Sequence, residues 1–199
     1  MAFLRSNLGQ DVAPLVRGHN LYLRPPVLGD YGAWAELRAM SRAHLKPFEP
    51  TWARDDLTRT AYRRRVRHYQ KELRDDLSVS FFIFRQADNS LMGGVTLSNI
   101  RRGVTQAASL GYWIGVAYAG QGHMTRAVSL AVGFAFNDLR LHRIEAACLQ
   151  HNAPSIRVLE RNGFLREGLA RRYLRIDGEW QDHLVFGLLW EDPRPQVMT

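Results

Sequence analysis

Gly120, Gly122 and Thr125 stand between an apolar run, SLGYWIGV at 109–116, and a second apolar stretch from Ala127 onward. Glycines placed where a strand end turns into a helix let successive backbone N–H groups and the helix N-terminus aim at one point, and such a point attracts phosphate. Two familiar phosphate loops do not fit. A nucleotide-binding loop needs Gly-Lys-Ser/Thr, and no lysine follows Gly122; a dinucleotide fingerprint needs a third glycine where Thr125 stands, and the flanks do not read as a βαβ unit. The alternative for the glycine pair is a turn closed by a helix cap.

A second segment, LHRIEAACLQHNAPSIRVLERNGF at 141–164, reads as strand, capped helix, glycine stop and new strand. Asn152 is a good N-cap, Pro154 and Ser155 occupy the first turn, and Gly163 follows the last one. Three residues apart, Asn152 and Ser155 lie near one face of that turn; both would serve simply as caps, and capping is compatible with ligand contact.

Together the two segments resemble the GCN5-related N-acetyltransferases (GNAT). Gly120 to Thr125 matches the family's pyrophosphate loop, and Asn152 to Phe164 its Asn-x-x-Ser helix ending in Asn-Gly-Phe. EGLARRYLRIDGEWQDHLVF at 167–186 is similar to the RimJ-type ribosomal-protein-alanine N-acetyltransferases. The resemblance covers roughly residues 19–190. It implies a single-domain α/β GNAT fold: a mixed, mostly antiparallel central sheet, helices on both faces, and a splay between two parallel strands, here 108–116 and 142–150. It implies acetyl-CoA as cosubstrate and no metal. Ile114, Gly115 and Val116 would pair with the pantetheine arm. Backbone N–H groups of Gly120, Gln121, Gly122, His123 and Met124, with the Thr125 hydroxyl, would hold the diphosphate. Asn152 would contact the CoA arm, and Ser155 would stand near the sulfur to protonate the thiolate.

Some positions depart from the family pattern. Many relatives carry Gln or Arg where Ala119 stands, so one phosphate contact is missing; Met124 replaces a small residue, Leu159 stands where many have a tyrosine acid, and Ser109 where some have a glutamate. Amine acetylation needs an acceptor for the ammonium proton. Glu145 is a candidate base, as a lone carboxylate in an apolar strand bordering the splay, although a salt bridge to Arg143 or Arg140 explains it equally. His183 could assist, with Asp182 holding a substrate ammonium; the plainer alternative is a turn at Asp182 and a packed His183. Glu49, Trp52, Glu179 and Asp182 would form the acceptor side, in loops around 48–52 and 176–180, with Trp52 and Trp180 equally readable as packing.

The elements that must position these groups follow from periodicity and punctuation. Strands are expected at 19–27, 78–87, 91–101, 108–116, 142–150, 164–175 and 183–190, and helices at 29–42, 58–76, 121–138 and 153–162. The 199 residues suffice for one well-filled domain at 19–190, between an extension at 1–18 and a tail at 191–199. Residues 1–18 carry no hydrophobic signal core and no run has membrane-spanning length, so a cytoplasmic location without membrane contact is expected. The single Cys148 cannot form an internal disulfide and reads as a core residue. Lys and Arg number 27 against 19 Asp and Glu, a formal +8 that favours polyanions, concentrated in a basic helix at 58–76 that would suit ribosomal RNA or be a solvated face.

The leading expectation is acetylation of a protein N-terminal α-amine, by resemblance an alanine of a small-subunit ribosomal protein, by a monomer or homodimer. Alternatives are a small amine or antibiotic as acceptor, or an RNA-binding assembly factor with a vestigial donor site.

Overall fold

A computed structural model describes residues 14–195. Its strands form one eight-stranded sheet in the order β1-β2-β3-β4-β5-β6-β8-β7. The strands are β1 (Val16–Arg17), β2 (Leu21–Arg24), β3 (Val79–Arg85), β4 (Leu91–Arg101), β5 (Ala107–Ile114), β6 (Arg143–Leu149), β7 (Leu165–Ile176) and β8 (Glu179–Leu189). The helices are α1 (Tyr31–Met40), α2 (Arg42–Leu45), α3 (Arg59–Arg74), α4 (His123–Asn137) and α5 (Ala153–Arg161). Every pairing is antiparallel except β5 with β6. A strand, helix, strand crossover through α4 makes that one parallel pair, as parallel neighbours require.

Alternation along the strands sends side chains to two separate cores. Phe81, Ile83, Leu110, Ile144 and Phe186 meet α4 and α5 on one face, while Phe82, Phe84 and Leu91 meet Trp34 and Leu37 of α1 and Tyr62 and Val66 of α3 on the other. Ala127, Ala131 and Ala135 are fully buried along one side of α4, so the helix backbone sits close to the sheet and its N-terminus is held at the end of β5. Thr58 caps α3, its hydroxyl accepting from Ala61 N at 3.2 Å. Tyr62 carries the inward face of α3, packing on Trp34 at 4.8 Å between ring centres and donating to Val27 O at 2.9 Å.

Two boundaries differ from expectation. Val16 and Arg17 already pair with Leu23 and Tyr22, so the sheet begins within the stretch expected to precede the domain; the remainder of that stretch through 13, and 196–199, lie outside the described residues. Strand β8 starts at Glu179, four residues earlier than its hydrophobic run suggests, because Asp177 and Gly178 at φ 45° and 91° close a two-residue hairpin that pairs Ile176 with Glu179. No described helix is long and apolar enough to cross a membrane.

Candidate active site

The parallel ladder between β5 and β6 holds for four residue pairs and ends at Leu110 opposite Ala146. Beyond it β5 continues only against β4, through Gly111 to Ile114, and β6 only against β8, through Ala147 to Leu149. The sheet is therefore open along its middle. Gly115 N donates to Met92 O at 2.8 Å, so by alternation the backbone groups of Trp113 also turn to β4, and those of Tyr112 and Ile114 turn into the gap. Trp190 N bonds His142 O, which in the same way turns the backbone of Ala147 and Leu149 into the gap from the other side. The opening is lined by peptide groups that could pair with an extended, amide-bearing ligand.

The expected trio at the end of β5 divides on this geometry. Ile114 faces the gap. Gly115 N is used by β4, and Val116 N donates to the buried Ser41 Oγ at 3.0 Å, so neither is available to an arm lying in the gap. Gly115 is glycine for a different reason: a Cβ there would overlap the Leu37 side chain of α1.

Past β5, a single 3-10 turn at Val116–Tyr118 leads to the glycine loop. Gly120 and Gly122 both have left-handed φ, 75° and 77°, which a side chain would strain. No side chain caps α4, whose first backbone bond runs from Arg126 N to Gly122 O. The N–H groups of His123, Met124 and Thr125 thus have no acceptor within the helix and point out of its first turn, where the helix dipole also favours an anion. Gln121 turns its amide back to Ala117 O at 2.9 Å, and the Met124 side chain is buried in the core. The sequence reading missed Arg126. Its guanidinium lies over Gly122, donates to Gln121 O at 3.2 Å, sits 3.2 Å from His123 Nδ1, and its buried Nε has no partner among the described residues. A cation four residues after the second glycine of a phosphate-type loop was the available signal. Burial first, then Arg126 and Arg85, hold the His123 pKa below its ordinary value, so this imidazole is neutral at neutral pH.

On the far side of the gap Asn152 caps α5, its Oδ1 accepting from Ser155 N at 3.1 Å. The Ser155 hydroxyl lies 2.7 Å from the Tyr112 hydroxyl, so the two splayed elements meet side chain to side chain across the opening. Tyr112 was also missed by the sequence reading, which sought a tyrosine on the helix rather than at an alternate position of β5. Burial pushes its pKa up. The buried Cys148 thiol of β6 is also pushed up by burial.

The base candidates fare differently. Glu145 stands opposite Ser109 within the closed part of the ladder, and Arg101 at 2.6 Å and Arg143 at 3.1 Å hold its carboxylate. It is an ion-pair residue away from the opening, which corrects its assignment as the base. His183 is buried on β8 opposite Leu149, at the open end of β6 and on the sheet face away from α4 and α5. Its Nδ1 is 2.9 Å from Gln181 O, and a carbonyl only accepts, so Nδ1 carries a proton and Nε2 is the nitrogen left facing away from that bond. The Tyr173 ring packs edge-on against it at 5.9 Å.

The two loops expected on the acceptor side do meet: Asp177 N donates to Glu49 O at 3.0 Å, and Lys46 pairs with Asp177 at 3.4 Å. Glu49, however, is committed inward. Both its oxygens bind Arg38, at 2.7 and 2.8 Å, and Trp52 Nε1 donates to it at 2.7 Å, so it anchors the loop instead of offering a free carboxylate. Asp182 Oδ1 accepts from Arg172 N at 2.8 Å and holds a bulge of β7, where Arg172 has φ 47°. Glu179 is exposed at the hairpin tip. No group of three or more His, Cys, Asp or Glu arranged to hold a metal occurs among the described residues.

A mixed sheet opened between its only parallel pair, with an anion-binding glycine loop at one end of the gap and a hydroxyl pair across it, defines a class of acyltransferase. The model of the acetyltransferase (GNAT) domain matches residues 20–165, and the chain belongs to that family and is an N-acetyltransferase. Among curated proteins it is 39% identical over 178 residues to one of Bacillus subtilis (strain 168) named "Probable N-acetyltransferase YjcK", covering 89% of this chain and 98% of the relative. To the ribosomal protein uS5-alanine N-acetyltransferase of Escherichia coli (strain K12) it is 33% identical over 168 residues, covering 83% and 87%. Among solved structures, Mycobacterium smegmatis RimJ in complex with CoA-disulfide superposes with a TM-score of 0.83 at 32% identity, covering 90% of this chain and 87% of that one. Ribosomal-protein-S5-alanine acetyltransferase from Vibrio fischeri superposes with a TM-score of 0.84 at 30% identity, covering 92% and 100%.

Proposed function

We propose that this enzyme transfers an acetyl group from acetyl-CoA to the N-terminal α-amine of a ribosomal protein, an alanine of the small subunit in particular. The observation that carries the donor half is the gap: two inner strand edges with unspent peptide groups, leading to two left-handed glycines and an uncapped helix N-terminus. The residues fit the cosubstrate. The Ile114 backbone would hold the arm; the loop from Gly120 to Thr125, with Arg126, would hold the diphosphate, Arg126 supplying the cation that Ala119 does not. Acetyl-CoA supplies a thioester, an acyl group already activated toward an amine.

The acceptor half rests on the relatives named for ribosomal-protein alanine. An N-terminal amine has a reference pKa of about 8 and so needs only a modest acceptor for its proton. His183 Nε2, the ring nitrogen not engaged by the Nδ1–H bond to Gln181, is the group this reading assigns to that task. Ser155, across the gap, serves the departing thiolate. The exposed Arg63, Arg67 and Arg74 lie along one stripe of α3 and have no ion-pair partner among the described residues, whereas Arg64, Arg65 and Lys71 are each matched by an aspartate. That stripe suits the phosphate backbone of ribosomal RNA beside the acceptor, and such a setting is cytoplasmic.

Intact-mass analysis of small-subunit ribosomal proteins incubated with the enzyme, with and without acetyl-CoA, tests the reading. The expected result is a single acetyl increment on one protein, mapped by terminal sequencing to its first alanine and diminished at least tenfold in His183→Asn. Acetylation confined to lysine side chains or to small amines would refute the acceptor assignment.

A further inference from the structure

Among the described residues the Tyr112 hydroxyl hydrogen-bonds only Ser155: it is 2.7 Å from Ser155 Oγ and 3.3 Å from Ser155 O. A phenol has one hydrogen, and a serine hydroxyl has one. If Tyr112 gives its hydrogen to the backbone carbonyl, Ser155 must spend its own on the phenol oxygen and has nothing to offer a ligand. If Tyr112 gives its hydrogen to Oγ, the serine hydrogen is released and can turn into the gap. The distances favour the second arrangement, since 2.7 Å is an ordinary O–H···O separation and 3.3 Å is long for one.

We infer that Tyr112 is a positioning residue that donates to Ser155 Oγ and so directs the serine hydrogen at the CoA sulfur. The inference rests on the donor reading above. In the transfer the new bond joins the amine nitrogen to the acyl carbon, and the amine proton leaves to His183. The bond from acyl carbon to sulfur breaks with its electron pair staying on sulfur. Ser155 holds that thiolate by its hydrogen and passes it a proton as Oγ is reprotonated from water; Tyr112 keeps its own proton throughout. Its raised pKa agrees with this, because a phenol that is hard to ionise is a poor proton source and a constant donor. The side chains facing the pair support the geometry. Burial keeps the Cys148 thiol of β6 hard to ionise, and the charge of Glu160 on α5 raises its pKa further.

The test reads the thiol of bound CoA directly, without an acceptor. Thiolate absorbance of the enzyme saturated with CoA is followed against pH, with the enzyme carrying desulfo-CoA as the blank for Cys148. An ordinary thiol ionises near ~8.5, and a directed hydrogen bond lowers that value in the wild-type complex. Tyr112→Phe and Ser155→Ala are expected to raise it to the same extent, and the double variant no further. Steady-state rates should agree: kcat falls about fivefold to tenfold in Tyr112→Phe, the scale of one hydrogen bond, with KM for acetyl-CoA changed less than twofold. Thermal melting of each variant verifies the fold, and the phenylalanine keeps the ring that packs in the core. A bound thiol in Tyr112→Phe that titrates as in the wild type, while Ser155→Ala is shifted, overturns the role of Tyr112 and leaves the donor reading standing. A thiol unmoved by Ser155→Ala overturns both.

Discussion

Replacing Glu49 by Gln should weaken the fold before it weakens acceptor binding. Glu49 binds Arg38 through both oxygens, and the Arg38 guanidinium is sandwiched by Trp52 at 4.1 Å and Trp113 at 4.9 Å. Arg38 is 7% exposed and its Nε already lacks a partner among the described residues, so no other group is placed to take over. Removing one member of a buried ion pair costs about 3–5 kcal/mol. The Glu49 side chain is 19% exposed and glutamine keeps one oxygen for Arg38, which lowers the expectation to about 2–3 kcal/mol. For a domain of this size that corresponds to a fall in Tm of roughly 4–12 °C, at about 2–4 °C per kcal/mol. Urea unfolding with the m-value monitored is the assay, because an unchanged m separates lost stability from a changed unfolded state. The double variant Glu49→Leu with Arg38→Met should recover much of the loss, since well-packed apolar replacements of a buried pair are often neutral. If Glu49→Gln unfolds at the wild-type urea midpoint while KM for an acceptor peptide rises tenfold, the carboxylate is a substrate contact and not an anchor of the loop.

Arg126→Ala should raise the Kd for CoA about tenfold to a hundredfold by calorimetry, the range for hydrogen bonds to a charged group at about 1.5–3 kcal/mol, and should flatten its salt dependence; unchanged affinity would remove Arg126 from the phosphate site. Gly122→Ala places a Cβ at φ 77°, with the Arg126 guanidinium 3.5 Å away, and is expected to cost about 1–2 kcal/mol in denaturant melts together with weaker CoA binding; a neutral result would mean the loop can leave the left-handed conformation. Arg143 holds the Glu167 carboxylate below its ordinary pKa of 4.5, first through a side-chain hydrogen bond. A depressed carboxylate adds stability above its unfolded pKa and loses it as pH falls through the folded one. The wild type should therefore lose stability between about pH 5 and pH 3 more steeply than Glu167→Gln, and parallel acid limbs in the two proteins would contradict the assignment.

The glycine loop and the capped helix were readable because both are local. Left-handed turns demand glycine at Gly120 and Gly122, and an N-cap demands a residue like Asn152, whatever the rest of the chain does. What could not be read was contact across elements. The ion pair of Glu145 with Arg143, two positions away, was readable, but its second partner Arg101, 44 positions away, was not. Glu49 looks like an exposed loop carboxylate until Arg38 reaches it from inside α1. Tyr112 was overlooked because nothing in β5 itself shows that α5 brings a hydroxyl to it. The division of Ile114 from Gly115 and Val116 needed the hydrogen-bond phase of β5 against β4, which the order of residues alone does not carry.

The four residue pairs between β5 and β6 have a consequence for the molecule as a thermodynamic object. Left of the gap lie five strands with α1 and α3; right of it lie β6, β8 and β7, and among the described residues the halves are joined in the sheet by the short seam of residues 106–110 with 142–146. An extended amide ligand laid in the gap would extend that short seam and become, for as long as it stays, a ninth strand at the centre of the sheet. Ligand that binds only the folded state stabilises it in proportion to the logarithm of its concentration, about 2.7 kcal/mol at a hundredfold excess over Kd. The enzyme's resistance to unfolding thereby becomes a gauge of the donor pool, and amide exchange along Ala147–Leu149 would register a scarcity of donor before any change in turnover did.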